Sequence, residues 1–180
     1  MAEMIAEGPF GEAVDETAGE ETRGGVRIVE AAWRPTASVQ PFRGRLAEVE
    51  GVLGPLPGPG GASAAALSLA LDQWLVEGEA AALAARLQGI AAVTDQSDGW
   101  AWLRLSGQGA AAAVSRLADF DPEAPGCAGP FARRTALARC PALVARRAEG
   151  AAWELGCPRS YARWFLGAVR RAAAAEGADA

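Results

Sequence analysis

One loop places three polar side chains that could do chemistry close together: Asp95, Ser97 and Asp98. A carboxylate beside a hydroxyl can accept a proton or position a water molecule, which is general-base chemistry. Asp and Ser side chains also hold turns, because they accept hydrogen bonds from nearby backbone N–H groups. The sequence leaves both interpretations open: a catalytic carboxylate at Asp95, or a hydrogen-bonded turn.

The residues that are missing restrict the chemistry further. The chain has no histidine, and all 17 of its basic residues are arginine. Ser-His and Cys-His nucleophile pairs, imidazole metal ligands and lysine Schiff bases are therefore excluded. The cysteines Cys127, Cys140 and Cys157 form no C-x-x-C pair, which predicts reduced thiols in or near the core. Cys127 lies in a Pro/Gly-rich loop, where a reactive thiol is the alternative. We predict no catalytic, cofactor-binding or metal-binding residue in this chain.

A second group of residues suggests binding. Trp100–Leu105 alternates in bulk and polarity as a strand does, so Trp100, Trp102 and Arg104 share one face. That face either packs under a helix of the same domain or meets a partner subunit, where Trp and Arg are common anchors. Arg159 and Tyr161 lie at the start of the last predicted helix. The possible roles at that position are to bind an anion, to cap the helix or to contact a partner. These five residues are the candidate interface.

Composition excludes two classes of partner. The net charge of −5 argues against a nucleic-acid-binding protein. The chain contains no long uncharged apolar run, and its acidic start does not resemble a secretory signal. We therefore expect no membrane contact and a cytoplasmic location.

The elements that must position these residues form a single domain. Residues 1–24 read as an acidic, disordered arm, and residues 25–175 as one α+β domain whose mixed or antiparallel sheet is covered by helices. The arm has few apolar anchors beyond Met4, Ile5 and Phe10. Deleting residues 1–23 is accordingly expected to change the melting temperature by only a few degrees. Pro158 opens the last helix, with Trp164, Phe165, Ala168 and Val169 as its apolar face.

Several short motifs resemble one protein family. The order of loop, strand, glycine turn and helix over Thr94–Leu117 is similar to a segment of the aminomethyltransferase (glycine cleavage T-protein) superfamily. Six blocks in sequence order resemble, within it, the gamma subunits of heterotetrameric sarcosine oxidase. The blocks are Leu71–Val76 (LDQWLV), Val93–Asp98 (VTDQSD), Leu105–Gly107 (LSG), Asp119–Pro122 (DFDP), Arg134–Ala138 (RTALA) and Cys157–Ala162 (CPRSYA).

This resemblance implies a fold and a function. The fold would be similar to the folate-binding domain of the T-protein, in which Asp95 would lie at a folate-type site. The complex would oxidatively demethylate sarcosine to glycine, using FAD, FMN, NAD and tetrahydrofolate held mainly by larger subunits. This chain would be a non-catalytic small subunit that supports assembly with them and binds no cofactor alone. The alternatives are an independent folate-binding or aminomethyltransferase-like protein, and a stand-alone binding module.

Overall fold

The computed structural model describes residues 8–11, 21–23, 25–148 and 152–175. These residues form ten strands and four α-helices, with single 3₁₀ turns before β8 and α4. In chain order the elements are β1 (Glu21–Arg23), β2 (Val26–Glu30), β3 (Thr36–Pro41), α1 (Leu46–Leu53), β4 (Ala66–Ala70), β5 (Gln73–Glu77), α2 (Ala80–Arg86), β6 (Ala91–Asp95), β7 (Trp100–Ser106), α3 (Ala110–Leu117), β8 (Phe131–Leu137), β9 (Cys140–Arg146), β10 (Trp153–Pro158) and α4 (Ala162–Ala174).

The strands form two sheets rather than the single sheet that was predicted. The larger sheet has the order β1-β2-β7-β10-β9-β8 and the smaller one β4-β5-β3-β6, and the described strand pairs are antiparallel. The α+β class and the antiparallel pairing are thus confirmed. The predicted number of sheets was wrong, because the alternation of apolar and polar residues shows which face of a strand is buried but not which strand is its neighbour.

Two helices cover one face of the larger sheet. Alternate residues of β7, namely Ala101, Leu103 and Leu105, point into a core shared with α3 and α4. From α4, Phe165 and Val169 are fully buried in this core. No helix of the described residues has the length and apolar character needed to cross a bilayer.

The other two helices cover the smaller sheet. Trp74 and Val76 of β5 pack with Val49 of α1 and with Leu83 of α2. Leu87, the residue that follows α2, belongs to the same cluster. The indole N–H of Trp74 donates to the Pro57 carbonyl at 2.8 Å. This satisfies the one polar atom of a buried indole.

The remaining faces of the two sheets pack against each other. Leu67 and Leu75 of the smaller sheet meet Trp102, Leu143 and Ala145 of the larger one. Within β5 this contact comes from the residue between Trp74 and Val76, as the two-residue period of a strand requires. The domain therefore has four layers: α3 and α4, the larger sheet, the smaller sheet, and α1 and α2.

A cluster of four charged residues links the two sheets. Arg34 contacts Glu154 of β10 at 2.8 Å and Glu77 of β5 at 3.0 Å. Arg147 contacts the same two carboxylates at 2.9 and 2.8 Å. Glu154 is only 6% exposed, so removing either arginine would leave a buried carboxylate with fewer partners, which is costly.

The predicted arm needs correction where the structure describes it. Glu21–Arg23 is not a loose segment, because it pairs as β1 with Val26–Ile28 of β2. Phe10 is 3% exposed and belongs to the core beneath α3 and α4. The expectation that residues 1–23 are dispensable therefore fails at Phe10, since deletion would empty a packed site. Residues 1–7, 12–20 and 24 of the arm lie outside the described residues.

Replacing Phe10 by alanine is expected to lower the free energy of unfolding by about 3 kcal/mol, because it opens a cavity in the main core. In a chain of this size that loss corresponds to a fall in melting temperature of roughly 6–12 °C. Phe10→Leu, which keeps most of the buried volume, serves as the control and should cost far less. Equal melting of wild type and Phe10→Ala would contradict the docked position of Phe10.

Candidate partner interface

The loop after β6 is a hydrogen-bonded clamp. The backbone N–H and the hydroxyl of Ser97 donate to one carboxylate oxygen of Asp95, at 2.9 and 2.7 Å. The Thr36 N–H donates to the Ser97 hydroxyl oxygen at 3.1 Å, which joins the loop to the start of β3. Asp98 is exposed in the same loop. Asp95 and Ser97 are thus brought together, and their hydrogen bonds hold the turn.

The clamp also determines the charge state of Asp95. The hydrogen bond from the Ser97 hydroxyl, followed by those from the Ser97 and Gln96 N–H groups, lowers the pKa of the Asp95 carboxyl below its usual 3.8. A carboxylate held ionised in this way accepts a proton poorly near neutral pH. The geometry supports the turn-holding interpretation of the loop over the catalytic one.

The three thiols lie in the interior. Cys127, Cys140 and Cys157 are free and buried. Burial raises the pKa of Cys140, and burial together with the nearby Cys140 raises the pKa of Cys157 to about 12. A protonated thiol is a weak nucleophile, so the prediction of reduced core cysteines is confirmed. Among the described residues, no group of three or more Cys, Asp and Glu side chains could hold a metal ion.

Trp102 is not available to a partner subunit. It is 9% exposed and lies between the two sheets, where it packs directly over Gly156 of β10. Both predictions for Trp102 were wrong: it neither meets a partner subunit nor packs under a helix. The physical reason is that the second sheet, which the sequence did not reveal, covers this part of the strand face.

The other tryptophan of β7 lies nearer the surface. Trp100 is half-buried, with its ring centroid 5.9 Å from that of Trp102. Trp100 and Arg159 line a small cleft together with Trp33, which is 62% exposed. The Arg159 N–H donates to the Gly99 carbonyl at 3.1 Å and fixes the start of the last helix beside this cleft. The sequence analysis did not single out Trp33, which follows β2 after that strand ends at Glu30.

The start of α4 adds two more exposed aromatic side chains. Tyr161 is 47% and Trp164 is 49% exposed. The prediction that Trp164 belongs to the buried face was wrong, because the stripe that packs on the sheet runs through Phe165, Ala168 and Val169. We call Trp33, Trp100, Arg159, Tyr161 and Trp164 together the aromatic patch; Trp100 is its half-buried member.

Arg104 lies on the same strand face as Trp102 but nearer the other end of β7. It is exposed and lines an open groove with Arg27 and Val29 of β2. Of the five predicted interface residues, Arg104, Arg159, Tyr161 and part of Trp100 therefore reach the surface, and Trp102 does not.

A larger cleft, of about 520 Å³, lies at the start of α3 and was not foreseen from the sequence. Gly107, Gln108 and Arg146 are among its lining residues. The Arg146 guanidinium lies 4.9 Å above the Trp153 ring and donates to the Cys127 carbonyl at 3.3 Å. These contacts tie the 3₁₀ turn before β8 to the larger sheet.

Comparison with solved structures finds an extensive likeness. A chain of the heterotetrameric sarcosine oxidase from Corynebacterium sp. U-96, determined in complex with pyrrole 2-carboxylate, superposes with a TM-score of 0.78. The match covers 96% of each chain at 22% sequence identity, so the two chains are similar in length. The two chains share one fold. An aspartate kinase from Clostridium acetobutylicum aligns with a TM-score of only 0.42 and carries no argument. No family model and no curated protein matches the sequence.

The Asp95 clamp predicts a pH-dependent contribution to stability. A carboxyl whose pKa is lowered by folding stabilises the fold above its unfolded pKa, and that contribution is lost as the pH falls through the folded pKa. The melting temperature of Asp95→Asn should therefore lie below that of wild type at neutral pH, with the difference shrinking as the pH falls below 3.8. Asp98→Asn in the same loop is the control and should leave the profile unchanged. A constant difference across the whole pH range would contradict the clamp.

The packing of Trp102 over Gly156, its neighbour on β10 in the same sheet, predicts a severe effect of a substitution at Gly156. A Cβ there would lie 2.7 to 2.9 Å from three ring atoms of Trp102. Because the ring is rigid and buried, Gly156→Ala should lower the free energy of unfolding by about 2 kcal/mol, and Trp102→Ala by about 3–5 kcal/mol. Gly126→Ala is the control, since a Cβ there meets nothing within 4 Å. Urea denaturation of the four proteins makes the comparison, and an unaffected Gly156→Ala protein would refute the packing.

Proposed function

We propose that this chain is the small, gamma-type subunit of a heterotetrameric sarcosine oxidase. The observation that carries the proposal is the end-to-end likeness to a chain of such a complex, at a TM-score of 0.78 over 96% of both chains. Fold alone does not determine function, because one fold hosts many activities. The proposal therefore also draws on the order of the sequence motifs and on the chemistry of the surface.

The residues of this chain favour an assembly role over a catalytic one. The sequence has no histidine or lysine, and burial keeps the thiols of Cys140 and Cys157 protonated. Asp95, the carboxylate singled out by its motif, is engaged in its own turn. In this proposal FAD, FMN, NAD and tetrahydrofolate are held by the larger subunits. The T-protein-like character of the fold is part of the same proposal.

The aromatic patch is the surface that fits a partner subunit. Large aromatic side chains and arginine are enriched at the centres of protein interfaces. Trp33, Tyr161 and Trp164 leave about half or more of their surface in water, which is unusual for three such residues in one domain. Burying them against the larger subunits would supply the apolar contact for assembly.

Co-expression of the tagged chain with the larger sarcosine oxidase subunits of its own genome tests the proposal. We expect one complex whose flavin absorbance is bleached by sarcosine under anaerobic conditions. The double variant Tyr161→Ala, Trp164→Ala should weaken assembly at least tenfold, on the scale expected for interface anchors. Leu71→Ala removes an even more exposed apolar side chain, in the β4–β5 turn, and serves as the control.

Two results would contradict the proposal. One is a wild-type chain that stays separate from the larger subunits. The other is a colourless monomer that binds folinic acid alone, which would favour the independent folate-binding alternative.

A further inference from the structure

The second face of the larger sheet is only partly covered. The smaller sheet packs on Trp102, Leu143 and Ala145, toward one side of that face. Toward β1 and β2, Arg27, Val29, Arg104 and Ser106 instead line an open groove of about 380 Å³. Within the described ranges, no helix or strand covers this inner part of the sheet.

Arg104 is an unusual residue for this position. It belongs to β7, which pairs with β2 on one side and β10 on the other, so it lies well inside the sheet. Its cross-strand neighbour on β10 is Glu154. The Glu154 carboxylate is already held by Arg34 at 2.8 Å and by Arg147 at 2.9 Å. Within the described part of the chain, Arg104 makes no ion pair.

We propose that an acidic segment of the partner subunit lies in this groove and pairs with Arg104. The proposal rests on the proposed function, since it requires the larger subunits. Charge complementarity determines the kind of occupant: Arg104 brings to the groove a guanidinium group that has no carboxylate partner among the described residues, although the whole chain carries a net charge of −5. Val29, between the two arginines on this face, provides an apolar floor for the same segment. Opposite charges meeting across an interface fix register and speed association.

Charge reversal in the assembled complex tests the proposal. Arg104→Glu should weaken the binding of this chain to the larger subunits tenfold or more, and Arg104→Gln by a smaller factor. The weakening should diminish at high salt, where screening removes the repulsion. Arg43→Glu reverses an exposed arginine in the turn after β3 and is the control. Because Arg104 is exposed, the free variants should melt within a few degrees of wild type, which separates lost binding from lost folding.

Photocrosslinking identifies the occupant. A p-benzoylphenylalanine in place of Ser106, at the end of the groove, should cross-link a peptide of a larger subunit that is rich in Asp and Glu. Three results would overturn the groove assignment while the proposed function stands. They are a cross-link to this chain's own acidic residues 1–20, a cross-link to a second copy of this chain, and the absence of any cross-link within an intact complex. Equal binding by Arg104→Glu and wild type would also overturn it. Failure of the wild-type chain to assemble at all would instead overturn the proposed function, and the groove proposal with it.

Discussion

The fold depends on the packing of the two sheets around Trp102, whose ring covers Gly156 on the neighbouring strand of its own sheet. The indole lies flat over a strand position that has no side chain, and a single added carbon there would come within 2.7 Å of the ring. Leu67, Leu75 and Leu143 complete the layer around it. At the same junction, the cluster of Arg34, Arg147, Glu77 and Glu154 links the sheets by ion pairs, which fix their relative position more than they add stability.

This packing decides which residues remain for a partner. Side chains alternate between the two faces of a strand, so β7 directs Ala101, Leu103 and Leu105 to the helices and the residues between them to the opposite face. The smaller sheet covers that opposite face at Trp102 but not at Arg104. Beyond the other end of the strand, Trp33 and Trp100 line a cleft with Arg159, at the start of the last helix. The three thiols are buried and the polar loop residues Asp95 and Ser97 are engaged in a turn, so the side chains that remain for a partner lie on the surface.

Much of this could be predicted from local sequence patterns. The alternation of Trp100–Leu105, the glycine turn before α3 and Pro158 before α4 are short-range signals, and the structure has a strand and two helices there. The Asp95–Ser97 turn was one of two interpretations and could be derived from the residue types alone. The pairing of distant strands could not be derived from the sequence, because hydrogen bonds between backbones do not depend on side-chain identity. Trp102 was therefore placed under a helix or at an interface, and Phe10 was assigned to an arm, although distant residues bury both.

Hydroxyl-radical footprinting of the free chain and of its proposed complex with the larger sarcosine oxidase subunits tests the central claim most directly, because oxidation reports the solvent exposure of individual side chains. The account predicts that Trp33, Tyr161 and Trp164 are oxidised in the free chain and protected in the complex. Trp102 should resist oxidation in both, and Leu71 should react equally in both. Strong oxidation of Trp102 in the folded free chain, or unchanged oxidation of the three exposed aromatic residues in the complex, would contradict it.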